Sequence, residues 1–135
     1  MESKIFLDTN VVIDYLEVTR KRHEVASAAM LKIFQQNWQV VISEDMLTTI
    51  YYVAKSKAKV LRFFQIVEEE WEILCFDKEV RKKAYEMALK SGGDFEDIIQ
   101  CIAAKQVGCE MLLTSDRTFY DCGLEVVGYE EILRW

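Results

Sequence analysis

The sequence predicts an α/β fold, a three-layer α/β/α sandwich whose middle layer is a parallel sheet of roughly five strands. Short apolar runs of strand length alternate with longer segments of helical periodicity along the whole chain. Strands separated by helices pair in parallel, because parallel neighbours need crossover connections, and such crossovers are right-handed. A further observation marks the working edge. Two of the apolar runs lead straight into an Asp region, and open parallel sheets bind ligands beyond the carboxyl ends of their strands.

In order, residues 4–7 read as a buried strand ending at Asp8, and residues 11–16 as a short helix. Residues 24–35 carry Val25, Ala28, Ala29, Leu31 and Phe34 at helical spacing. Residues 39–42 form the second strand, and Ser43 is a candidate N-cap for a helix reaching about Lys55. Residues 59–69 set Val60, Phe63, Phe64 and Val67 on one helical face. Residues 72–76 make the third strand. Asp77 caps a helix over 79–90 that stops at Gly92, and Asp94 caps one over 95–107 that stops at Gly108. Residues 111–113 and 125–127 supply the fourth and fifth strands, and 130–133 a closing helical turn.

The 135 residues suit one domain, 1–135, with an apolar fraction of 51%. There is no proline to punctuate a linker, and no repeat or low-complexity stretch. No apolar run is long enough to span a membrane, and the opening MESKIFLDTN lacks a signal-peptide core. A cytoplasmic protein without membrane partners is expected. Cys75, Cys101, Cys109 and Cys122 have no CxxC spacing and the only histidine is His23. Reduced cysteines packed as small apolar groups are expected rather than a zinc site.

The formal charge of −6 argues against simple electrostatic nucleic-acid binding. Carboxylates gathered on a divalent cation would have that charge offset locally. The basic residues are also clustered, in 20–22 beside His23, in Lys55, Lys57, Lys59 and Arg62, and in 81–83. Each run is either a solvated face or a set of phosphate contacts.

Asp8 and Asp116 follow the first and fourth strands. Each has a structural alternative: Asp8 as a helix cap, Asp116 as a cap on a turn over 117–120. In GGDFEDIIQ, Asp94 and Asp97 are three apart and share a face at a helix N-terminus, where they also suit an N-cap and its N3 partner. By the same spacing Glu96 is expected to point away into solvent. Hard oxygen ligands of this kind suit Mg²⁺ or Mn²⁺. The chain has no glycine-rich phosphate loop. A Ser-His-Asp or Cys-His device would need His23, which lies in a charged stretch and is expected at the surface.

FLDTNVVIDYL, DFEDIIQCIAAKQVGCEMLLTSD and the spacing between them resemble the PIN-domain nucleases, in particular the VapC-type toxins with DFED before the last catalytic strand. The resemblance spans essentially the whole chain. It implies metal ligands at Asp8, Asp97 and Asp116, with Asn10 as a supporting group and Ser115 or Thr114 as the hydroxyl that holds the first Asp. It implies a Mg²⁺- or Mn²⁺-dependent ribonuclease acting on RNA, a homodimer, and neutralisation by a small antitoxin protein. The departure is the family's second acid, a Glu in the helix after the second strand. Thr49 stands there, or Thr48 with a one-residue slip. Glu44 and Asp45 lie earlier, as ordinary helix-start acids, so Asp94 is the candidate to restore the charge.

Two other readings stay open. One is a degenerate PIN domain acting as a binding or regulatory module. The other is a phosphotransfer domain or phosphatase with Asp8 as the phosphorylated group, although Asn10 stands where such phosphatases carry a second Asp. The aromatic residues Tyr51, Tyr52, Phe63, Phe64 and Trp71 are either core or a dimer or antitoxin surface.

Overall fold

A computed structural model describes residues 2–116 and 122–135. The strands are β1 (Lys4–Leu7), β2 (Gln39–Ser43), β3 (Glu72–Leu74), β4 (Met111–Leu113) and β5 (Glu125–Val127). The helices are α1 (Thr9–Leu16), α2 (His23–Gln35), α3 (Asp45–Val53), α4 (Lys57–Glu70), α5 (Lys78–Ser91), α6 (Phe95–Gln106) and α7 (Tyr129–Leu133). All strand pairs are parallel and the sheet order is β3-β2-β1-β4-β5. Helices flank the sheet in two groups: α5 packs on α6, while α1, α2, α3, α4 and α7 are joined by their own contacts. The parallel α/β sandwich expected from the alternating pattern is therefore the observed architecture.

The order carries a consequence for position. The chain moves outward from β1 to β2 and β3, then returns to the other side of β1 for β4 and β5. The reversal opens a crevice between the carboxyl ends of β1 and β4, the place where such sheets hold ligands. Phe6 pairs with Leu112 and Leu7 with Leu113, all four fully buried. The apolar residues on both sheet faces hold this pairing in register.

Several boundaries differ from the sequence reading for local reasons. Helix α4 starts two residues early because Ser56 caps it, accepting from Lys59 N at 3.3 Å. Ser43 is the last residue of β2 instead of a cap, and its buried hydroxyl has no partner among the described residues. The buried face of α2 is Ala26, Ala29, Met30 and Ile33, whereas Ala28, Leu31 and Phe34 are exposed. The periodicity was matched one step out of phase, which small residues such as alanine allow. Gly92 (φ 68°) ends α5 and Gly108 (φ 87°) follows α6, both left-handed as the stop signals require.

Lys57 is committed to structure: its Nζ donates to the carbonyls of Tyr51, Tyr52 and Ala54 at the end of α3. Tyr52 is exposed, while Tyr51, Phe63, Phe64 and Trp71 pack half-buried against the core. His23, expected at the surface, is half-buried, with Nδ1 2.9 Å from the Asp14 carbonyl. Among the described residues no helix is long and apolar enough to cross a membrane.

The cysteine expectation needs correction. Cys101 and Cys122 form a disulfide, their Cα atoms 6.0 Å apart and 21 residues apart in sequence. That distance lies in the normal bridging range. It is created by tertiary packing of α6 against the segment before β5, which residue spacing does not report. Cys75 and Cys109 remain thiols, one exposed and one buried. Burial pushes the Cys109 thiol up to about 12, and the Cys75 thiol is raised by its hydrogen bond to the Glu44 carboxylate. Iodoacetamide at pH 8 without reductant is expected to modify Cys75, with Cys109 reacting about 100-fold more slowly. Mass spectrometry checks this, and label on native Cys101 or Cys122 would rule out the bridge.

Candidate metal and active site

Strand register sets the first part of the site. Because Leu7 lies beside Leu113, the next residues, Asp8 and Thr114, emerge side by side. The ladder continues with Asp8 N donating to the Leu113 carbonyl at 2.9 Å. Asp8 is buried, 6% exposed, yet both carboxylate oxygens are bonded. Oδ1 accepts from Thr9 N at 2.8 Å and Oδ2 from the Thr114 hydroxyl at 2.8 Å. The same hydroxyl accepts from Asp116 N at 2.9 Å. One side chain thus fixes both the first Asp and the backbone of the last. Burial raises the pKa of Asp8, and the bonds from Thr114 and Thr9 oppose that shift.

The N-terminus of α6 supplies the second part. Asp94 caps it, its Oδ2 accepting from Asp97 N at 3.0 Å. The Asp97 carboxylate itself faces other acids. Desolvation first, then the charges of Asp94, Asp8, Asp116 and Glu96, push its pKa up to about 7. Asp8, Asp94, Asp97 and Asp116 line one cleft of about 680 Å³ at the carboxyl edge of the sheet. Asn10 from α1 and Thr49 from α3 line the same cleft, with Arg20 as its one basic residue among those described.

Glu96 is exposed, as expected, but it also rims this cleft and so does not point away from the other acids. Its pKa is raised by partial burial and by Asp45, Asp94 and Asp8, while the nearby Thr9 hydroxyl holds it down. That hydroxyl is buried and does not reach full hydrogen-bond geometry with any described group. A helix's first turn opens outward, so residues two and three after the cap can both rim the same hollow. The signal was present in DFED, but a rule for helix faces alone discards it.

The supporting residues divide. Thr114, not Ser115, holds Asp8; Ser115 lines an adjoining hollow with Asn10, Arg20 and Asp116. Asp45 accepts from Gln100 Nε2 at 3.1 Å and Glu44 from Cys75, so both are engaged outside the cleft. The turn over 117–120 lies outside the described residues.

The donor set is hard oxygen, the chemistry that Mg²⁺ and Mn²⁺ accept. Burial first, and the neighbouring carboxylates after it, raise the pKa of Asp8, Glu96 and Asp97. Among the described residues no three such side chains are drawn together tightly enough to hold an ion directly. By donor chemistry, a set of carboxylate oxygens in one cleft, the residues present fit a divalent metal.

A family model described as PIN domain matches residues 5–123. The chain is 34% identical over 137 residues to Ribonuclease VapC1 of Aquifex aeolicus (strain VF5), covering 98% of this chain and 95% of that protein. Its fold superposes on Mycobacterium tuberculosis VapC20, a Sarcin-Ricin loop cleaving toxin, with TM-score 0.72 at 15% identity, covering 89% of this chain and 95% of that one. A chain of a toxin-antitoxin complex from Klebsiella pneumoniae gives TM-score 0.70 at 19% identity, covering 93% and 97%. These distant structures speak for the fold alone, whereas the family match spans most of the chain and the relative is 34% identical across nearly all of it: the chain belongs to the PIN domain family.

Proposed function

We propose that this chain is a divalent-metal-dependent endoribonuclease, a single domain over 1–135 in which Asp8, Asp97 and Asp116 hold Mg²⁺ or Mn²⁺. The observation that carries the reading is the meeting of these acids, from three separated segments, in one cleft at the sheet reversal. Its relative at 34% identity is named a ribonuclease. A neighbouring fold belongs to a toxin-antitoxin complex, which supports a role as the toxin of such a pair, with an antitoxin partner. A homodimer in the cytoplasm completes the proposal.

When bound, a divalent cation polarises the scissile phosphate and makes a water nucleophilic near neutral pH. The protein's part is positioning. Asp8 has its carboxylate fixed by Thr114 and Thr9, so its orientation is set before any ligand arrives. Asp97, half-exposed on a capped helix, brings the second carboxylate from a rigid element. Asp94, Glu96 and Asn10 complete the polar wall. Thr49 occupies the wall from α3 where the family keeps Glu, which favours a second reading, a binding module with weak metal affinity.

One experiment separates the two. Purified protein with Mn²⁺ is expected to cleave mixed RNA, with EDTA stopping the reaction and Asp8→Asn lowering it by about 100-fold. Equal cleavage by wild type and variant would mean a contaminant, and absence of both cleavage and calorimetric Mn²⁺ binding would favour the binding module.

A further inference from the structure

Arg20 is the basic residue, among those described, in a cleft lined by the acids Asp8, Asp94, Glu96, Asp97 and Asp116 together with neutral residues, and it is held there by a buried device. Its Nε donates to Asp14 Oδ1 at 2.9 Å. The other oxygen of Asp14 accepts from the Tyr129 hydroxyl at 2.7 Å. Asp14 is 4% exposed and Tyr129 fully buried. Both oxygens of the carboxylate are therefore committed, and it is not a ligand waiting for a cation. The backbone around Arg20 is fixed as well. Arg20 N donates to the Glu17 carbonyl and His23 N to the Arg20 carbonyl, each at 3.0 Å.

Only Nε is used in this anchorage, so the two Nη groups are the donors left for a ligand. A planar guanidinium presents them as a fork that matches phosphate oxygens. Arg20 also lines the adjoining hollow, together with Lys21, Arg22, Asn10, Ser115 and the two acids Asp14 and Asp116. Arg22 is set over the Tyr129 ring, 5.1 Å from its centre, and its guanidinium pairs with Glu130 at 3.3 Å, so Arg20 and Lys21 are the foremost phosphate donors of the hollow. An acidic compartment and a basic compartment thus share Arg20, Asn10 and Asp116 as their common wall. The acidic one suits a phosphate only with a cation; the other sets three basic side chains beside two acids, one of which, Asp14, already has both oxygens bonded.

We propose that the hollow formed by Arg20, Lys21 and Arg22 is a phosphate subsite that binds the phosphodiester next to the one cleaved, with Asp14 as the residue that positions Arg20. This rests on the ribonuclease reading above. The site tracks the sugar-phosphate backbone and carries no base preference of its own.

The test uses the full chain with Ca²⁺ replacing Mn²⁺, so that binding is read without turnover. The probe is a fluorescein-labelled single-stranded RNA decamer of mixed sequence, followed by anisotropy over a KCl series. Arg20→Gln is expected to weaken binding about 5- to 10-fold and to reduce the slope of log K against log [KCl] by about 0.7, one phosphate contact on a single strand. Arg20→Lys is expected to keep the slope and lose affinity about 2- to 3-fold. Asp14→Asn is expected to weaken binding in the wild-type background but not in the Arg20→Gln background, a coupling that general destabilisation does not produce. Wild-type affinity and slope in Arg20→Gln would overturn the subsite while the ribonuclease reading stands. A wild type that binds no RNA would overturn both.

Discussion

Asp97→Asn is expected to lower Mn²⁺-dependent RNA cleavage by about 100-fold or more and, in the same preparation, to raise the melting temperature of the metal-free protein. The two effects have one origin. Asp97 is half-exposed and surrounded by Asp94, Asp8, Asp116 and Glu96, which together with desolvation raise its pKa to about 7. A carboxyl whose folded pKa lies above its unfolded value costs stability when it ionises. The cost is absent below about pH 4, grows as pH rises, and is complete above about pH 7. Asparagine keeps the shape and does not ionise, and the Asp94 cap is untouched because it uses the backbone N of residue 97. Discounted for solvent screening, the relief is about 1 kcal/mol, or ~3–5 °C. Thermal melts in EDTA at pH 8 and pH 5 check it: the gain belongs to pH 8 and shrinks at pH 5. A variant that melts lower at pH 8, or that still cleaves, would remove Asp97 from the metal site.

Thr49→Glu is expected to tighten Mn²⁺ binding by about 10- to 100-fold, the range over which supporting carboxylates tune metal sites. Thr49 is exposed on α3 and lines the acid cleft, so a longer side chain meets open space there. Glutamate also suits a helix better than threonine. The added charge should lower the metal-free melting temperature while raising the metal-bound one. Thr48→Glu is the control: Thr48 is exposed on the same helix but is not part of the cleft wall. Calorimetric titration of both variants decides the matter. Equal Mn²⁺ affinity in Thr49→Glu and wild type would show that Asp94 and Glu96 already supply the charge.

Much of this molecule was legible because its signals are local. Asp77 and Asp94 cap helices, Gly92 and Gly108 end them, and 111–113 and 125–127 are strands, each as the residue chemistry requires. The cleft acids were legible because a strand that runs into Asp delivers it to one sheet edge. What escaped needed contacts between distant segments. Cys101 meets Cys122 through packing. Glu96 stays exposed yet rims the cleft, near Thr9 of the facing helix. Between the two hydroxyls that the sequence offers, Thr114 and Ser115, strand pairing decides that Thr114 faces Asp8. Arg20 looked like one more member of a basic run until Asp14 and Tyr129 were placed beneath it.

The pairing of Leu7 with Leu113 also governs which changes of chain length the protein can absorb. Side chains alternate across a strand, so a shift of one residue would turn Thr114 to the opposite face and leave Asp8 without its partner. The hydrophobic run Met111–Leu113 would still fill the core after such a slip. An insertion or deletion in residues 108–110 would therefore yield a folded protein with a disassembled site. Loop length at this one connection is set by the chemistry of the site, and packing alone would not police it.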